Sequence, residues 1–189
     1  MNNLNREEIK TIVDDLHAQI VIIKMCMDSI EALQKIGNEK IHTKNADNFF
    51  RITYNSLIFR YEMELCKLVC DNSGMNIKTI CNKLSENSSL FFDSNSVIQI
   101  CRDIKKTVTQ KYKAVNKNLW ERRNKSLAHN DNEFFFYSER IVETFPLNYD
   151  IIKDEVDYLY HCSKYLQRQI FSDVHYYPKE SNDVKNLFE

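Results

Sequence analysis

Arg122, Arg123, Asn124, Lys125, Ser126, His129, Asn130 and Asp131 crowd into one short stretch of a 189-residue chain. An arginine offers a planar, permanently charged fork that fits phosphate oxygens. A histidine is the side chain most easily poised to move protons near neutral pH. Together they suggest phosphate chemistry. The spacing sets a condition, because six steps along an unbroken α-helix put Arg123 and His129 about 120° apart and about 9 Å along the axis. They converge only if the helix ends or distorts between them, or if a second chain completes the site.

Plainer roles compete for each residue. Arg123 lies about 40° from Cys101 on a helical wheel, at the edge of an apolar stripe. A partly buried arginine is costly unless paired, so an ion pair with an acid of a neighbouring helix is its duller role. Its place six residues before a histidine favours phosphate contact. Arg122 is the rival, since seven steps return it to the face of His129, about 10.5 Å away along the axis. A charged histidine at a helix C-terminus gains about 0.3–1 kcal/mol from the dipole, and that alone explains many of them. Asn124, Ser126, Asn130 and Asp131 shift the balance, since Asn124 can hold a ring or substrate oxygen and Asp131 can orient the imidazole. Trp120 reads first as a packing or subunit-contact anchor and second as a platform for a base.

The elements that carry this stretch are helical. Two glycines and two prolines leave long runs uninterrupted. Asn5 and Glu8 form an Asn-x-x-Glu capping box ahead of a seam of Ile9, Val13, Leu16, Ile20, Ile23, Met27 and Ile30, which steps by fours and threes. Gly37 is expected to end that helix. A second helix is expected over 46–71, with Phe50, Tyr54, Leu57, Ile58, Tyr61, Leu65, Leu68 and Val69 on one face and Gly74 at its exit. A short helix over 77–84 and a polar linker over 86–89 follow. The third long helix is expected to run unbroken over 95–128 on a stripe of Val97, Cys101, Ile104, Val108, Tyr112, Val115 and Leu119. After a Phe-rich connector, Glu133 to Tyr137, Pro146 and Asn148 precede a last helix with Ile152, Val156, Leu159, Cys162, Leu166 and Ile170 in register. The pattern predicts an all-α, up-and-down four-helix bundle over residues 1–175, with a polar tail over 176–189.

Composition narrows the function classes. The net charge of −1 gives no global attraction to nucleic acid or membrane, so such attraction must be local. Residues 102–125 carry nine Lys or Arg against Asp103 and Glu121, a local +7, while 131–157 carry a local −6. Arg102, Lys106, Lys113 and Lys117 form a basic ridge off the apolar stripe of the expected third helix. It is either a solvated face or the footprint of a nucleic acid, and its coincidence with the Arg–His stretch favours the latter. His17, His42, His161 and His175 are scattered and read as ordinary surface or core residues. Cys66 and Cys70 stand one turn apart without further ligands and read as core, so no metal site is expected. The polar N-terminus and the absence of an apolar run long enough to span a bilayer predict a soluble cytoplasmic protein with reduced thiols.

The segment Arg123-Asn124-Lys125-Ser126-Leu127-Ala128-His129 resembles the Arg-(Asn/Asp/His)-x(3–5)-His signature of the HEPN superfamily of small helical proteins. Its surroundings, with Trp120 just upstream and Asn130-Asp131 after, are most similar to the abortive-infection, AbiU-like branch. The helix from Tyr54 to Asp71 fits the same branch, and the similarity covers roughly residues 44–170. The resemblance implies a dimer whose two motif copies face each other, and a metal-independent, cofactor-free endoribonuclease of a toxin–antitoxin or phage-defence system. Arg123, His129 and Asn124 would be catalytic. Arg122, Lys125, Ser126, Asn130, Asp131, Lys113 and Lys117 would contact RNA. An antitoxin or nucleotidyltransferase-type protein is an implied partner. Some HEPN toxins carry a tyrosine, two places after the histidine, that such a partner modifies, and this chain has Asp131 there. A non-catalytic dimer that binds RNA, a nucleotide or a protein through the same cleft, and a purely structural subunit, remain the alternatives.

Overall fold

The computed structural model describes residues 4–40, 44–70, 74–128 and 138–171. The protein is all-α, and among the described residues there is no strand. His129, Asn130, Asp131, the Phe-rich connector over 133–137 and the expected tail over 176–189 lie outside the described residues.

Helix α1 (Arg6–Lys40) opens on the expected capping box. Glu8 N donates to Asn5 Oδ1 at 3.0 Å, and Asn5 N donates to a Glu8 carboxylate oxygen at 2.7 Å. Every residue of its seam from Ile9 to Ile30 is buried. Gly37 does not end it; the helix continues to Lys40. A glycine inside a helix costs about 1 kcal/mol, whereas burying a large aliphatic side chain is worth roughly 1.5–3 kcal/mol. Ile30 and Leu33, both buried just upstream, anchor the rod past it. Gly74 does adopt the left-handed conformation, at φ +78°.

Helix α2 (Lys44–Val69) runs antiparallel to α1, with Gln34 Nε2 donating to Tyr54 Oη at one end and Gln19 Nε2 to the Glu64 carbonyl at the other. Its C-terminal half is buried through Tyr61, Leu65, Cys66, Leu68 and Val69. Its N-terminal half leaves Phe49, Ile52 and Phe59 exposed at 62%, 65% and 47%. Helix α3 (Ile77–Glu86) is capped by Asn76, and a 3-10 turn over Ser88–Leu90 replaces the expected plain linker.

The third rod is broken, against expectation, into α4 (Ser94–Gln110) and α5 (Lys113–Arg122). The break has a local cause. Tyr112 is buried on the seam and its hydroxyl donates to Asp154 Oδ2 at 2.9 Å, while Lys111 Nζ reaches the same oxygen at 2.6 Å. Serving one carboxylate with two successive residues opens the ladder, so Lys111 N and Tyr112 N both donate to the Thr107 carbonyl. The basic ridge is therefore split, with Arg102 and Lys106 on α4 and Lys113 and Lys117 on α5, all exposed.

A short α6 (Ser138–Thr144), not expected from the sequence, precedes α7 (Tyr149–Ile170), whose N-cap Asn148 accepts from Ile151 N at 3.1 Å. Helix α7 lies antiparallel to α1, as Asp14–Gln167, His17–Ser163 and Lys24–Asp157 contacts show in sequence. Helices α1, α2, α4 with α5, and α7 enclose one core, compatible with an up-and-down four-helix bundle. No helix among the described residues is long and apolar enough to cross a membrane. All six cysteines are free thiols.

Candidate functional site

Helix α5 carries the Arg–His stretch, and three contacts seat it. Asn116 Nδ2 donates to Glu155 Oε1 of α7 at 2.9 Å, and the Cys70 thiol at the end of α2 donates to the Asn116 carbonyl at 3.2 Å. One and a half turns on, Arg122 Nη1 lies 3.2 Å from Glu62 Oε1 of α2. The pairs Cys70–Asn116 and Glu62–Arg122 make α2 and α5 antiparallel, so the N-terminal half of α2 flanks the chain beyond Arg122.

There the helix changes type. Residues Arg123–Ala128 form a π-helical turn, which ends immediately before His129. Such i→i+5 turns are rare and recur at functional sites. The distortion required to bring an arginine and a histidine six residues apart into new register is present, although His129 itself lies outside the described residues.

Arg122 and Arg123 have different surroundings. The Arg122 side chain is 14% exposed and that of Glu62 4%, so the pair is largely desolvated. Burial pushes the Glu62 carboxyl up, and the Arg122 charge opposes that shift. The ion pair with a neighbouring helix, weighed as the duller role for Arg123, belongs to Arg122. Arg123 instead places its guanidinium 5.2 Å from the Trp120 ring centroid, with Nη1 donating to Asn124 Oδ1 at a long 3.5 Å. A cation over an indole face is attracted by the ring quadrupole, which fixes the arginine while leaving its fork half-exposed.

The structure thus groups Trp120, Arg123 and Asn124, with Lys125 half-buried beside them. Lys113 and Lys117 lie one turn apart, exposed on α5, and the same face continues to Trp120 and Asn124 by three- and four-residue steps. The backbone of Ser126 is in the π turn, while its side chain, with Asn130 and Asp131, lies outside the described residues. Trp120 packs on the core edge, in line with the anchoring role given to it above. No group of three or more His, Cys, Asp or Glu side chains placed to hold a metal occurs among the described residues.

Two acids escaped the sequence reading. Glu62 falls four residues after Ile58 and three before Leu65, and Glu155 three after Ile152 and four before Leu159. An acid in register with an apolar stripe is the signal that finds both.

The AbiU2 family model matches residues 6–187, nearly the whole chain. The chain belongs to the HEPN AbiU2 family. The resemblance carried by the Arg123–His129 stretch therefore extends over the complete helical array of this AbiU2 member. No curated protein and no solved structure matches the chain.

Proposed function

We propose that this AbiU2-family chain is a metal-independent endoribonuclease of a cytoplasmic toxin–antitoxin or abortive-infection system, working as a homodimer. The observation that carries the proposal is the family match over residues 6–187, which spans the Arg123–His129 stretch. Support comes from Arg123, held over Trp120 beside Asn124 at the mouth of a π turn that leads straight into His129.

A ribose 2′-hydroxyl attacks its own phosphodiester. His129 takes the hydroxyl proton and a proton is returned to the departing 5′-oxygen. Arg123 stabilises the charge that builds on the phosphoryl oxygens, and Asn124 positions the phosphate or the imidazole. The products are a 2′,3′-cyclic phosphate and a 5′-hydroxyl. Arginine and imidazole supply both charge stabilisation and proton transfer, so this step does not call for a Lewis acid. Lys113, Lys117 and Lys125, with Ser126, Asn130 and Asp131, track the RNA. Arg122, with one nitrogen on Glu62, takes a lesser share of that contact.

Pairing of two copies is supported by the uncovered apolar side chains Phe49, Ile52 and Phe59 on the half of α2 that flanks the π turn. An antitoxin or nucleotidyltransferase-type partner belongs to the same proposal, with Asp131 where a modifiable tyrosine stands in some HEPN toxins. The test is incubation of the purified protein with RNA in EDTA and analysis of the fragment ends. Cyclic phosphate and 5′-hydroxyl ends are expected. Intact RNA bound in a salt-sensitive way would instead favour the non-catalytic dimer.

A further inference from the structure

Glu155 of α7 is fully buried and Asn116 of α5 nearly so, and they share one hydrogen bond, from Asn116 Nδ2 to Glu155 Oε1. Two atoms are left over, Oδ1 of the same amide and Oε2 of the same carboxyl. Both are buried acceptors with no hydrogen-bond partner among the described residues. Two stranded acceptors on adjoining groups are the two ends of one missing hydrogen bond, and only a proton can supply it. A protonated carboxyl gains one O–H donor, and an unpaired buried carboxylate is otherwise driven to neutrality.

We propose that Glu155 is a neutral acid in the folded protein, its proton bridging Oε2 to Asn116 Oδ1, and that this acid–amide pair is an alkali-sensitive latch holding the motif helix α5 on α7. Among the described residues the surroundings offer no counter-charge. From α2 the facing groups are thiols, of which Cys70 also donates to the Asn116 carbonyl. From α4, Lys111 and Tyr112 are engaged by Asp154. From α1, Lys24 pairs with Asp157 and Glu31 with Lys153, two positions either side of Glu155 and hence on the far side of α7. The neighbouring charge of Asp154 opposes ionisation further.

Burial raises the Glu155 carboxyl to about 8, only partly offset by the Asn116 hydrogen bond. The folded protein then holds a proton that the unfolded chain has released, so stability is full below the ordinary carboxyl range and drains away as pH rises to about 8. Above that, two acceptors confront one another at the joint, and Asn116 lies seven residues, hence one face, from Arg123.

Glu155→Gln tests this, because its amide offers a permanent N–H where the acid offers its proton. The latch predicts that the melting temperature of the wild type falls relative to Glu155→Gln as pH is raised from about 6 to about 9, the gap levelling off past the titration. It also predicts a protonated-acid carbonyl band in the infrared spectrum of the wild type at neutral pH, absent from the variant. Parallel melting curves over that range would overturn it. So would an ionised Glu155 carboxyl at neutral pH, read by carbon NMR on the wild type, which decides the matter even if the variant folds poorly. Neither readout depends on RNA cleavage, so failure here and failure of the nuclease proposal register separately.

Discussion

Arg122 of α5 reaches across to Glu62 of α2 at 3.2 Å in a nearly dry contact, while Arg123, the next residue, lies over the Trp120 ring. One arginine holds the motif helix and the other is presented by it. Adjacent residues of the same type should therefore fail in opposite ways when removed.

Arg122→Ala leaves Glu62 as an uncompensated buried charge, and such losses cost about 3–5 kcal/mol. A large fall in melting temperature is expected, with Glu62→Ala similarly damaging. Because desolvation offsets much of a buried pair's attraction, combining Arg122→Met with Glu62→Leu should recover most of the loss. Chemical denaturation of the single and double variants checks this.

Arg123→Ala should leave the fold nearly intact, forfeiting about 0.5–1 kcal/mol of cation–π contact. Cleavage should drop by about 10²–10³-fold, as for loss of one donor to a developing oxyanion. His129→Ala should abolish cleavage with folding unchanged. Retained cleavage in either variant, measured on the same RNA, would remove that residue from the chemistry.

Ile52→Glu and Phe59→Glu put a charge on the exposed apolar side of α2. If a second copy covers that side, light scattering should show the dimer dissociating while the helical content of the monomer is kept. Cleavage should be lost together with the dimer when the two motif copies share a cleft. An unaltered oligomeric state would move the subunit contact elsewhere.

His17 is buried, with Nδ1 donating to Ser163 Oγ at 2.8 Å, since that hydroxyl itself donates to the Tyr160 carbonyl. Burial lowers its affinity for a proton, only partly opposed by Asp14. The unfolded chain then binds a proton that the folded one resists, so stability is intact above the ordinary histidine value of about 6.5 and declines as pH falls below it. His17→Gln should flatten that acid limb of a melting-temperature profile.

The rods were readable in the sequence because each writes its apolar stripe plainly. The seam from Ile9 to Ile30, the Asn5–Glu8 box and the Asn148 cap all stand where the pattern puts them. The break at Lys111–Tyr112 was hidden, since Tyr112 continues the stripe as well as any apolar residue and the kink depends on Asp154, forty-two positions away. Gly37 misled because a local preference worth about 1 kcal/mol yielded to burial upstream. At the site, the types Arg123 and Asn124 were legible, but which arginine would be spent on Glu62 was not. Residue spacing gives direction around an axis and says nothing about what waits opposite.

The π turn over Arg123–Ala128 also changes how the interval before the histidine should be counted. A wide turn absorbs a residue that a tighter one would pass along, so everything downstream is swung by roughly one helical step, about 100°. Shortening this interval by a single residue need not break the rod; it can let the coil tighten and aim its end differently. Insertions and deletions here would act as a steering adjustment, with the angle between cation and imidazole, and not their separation along the chain, as the quantity under selection.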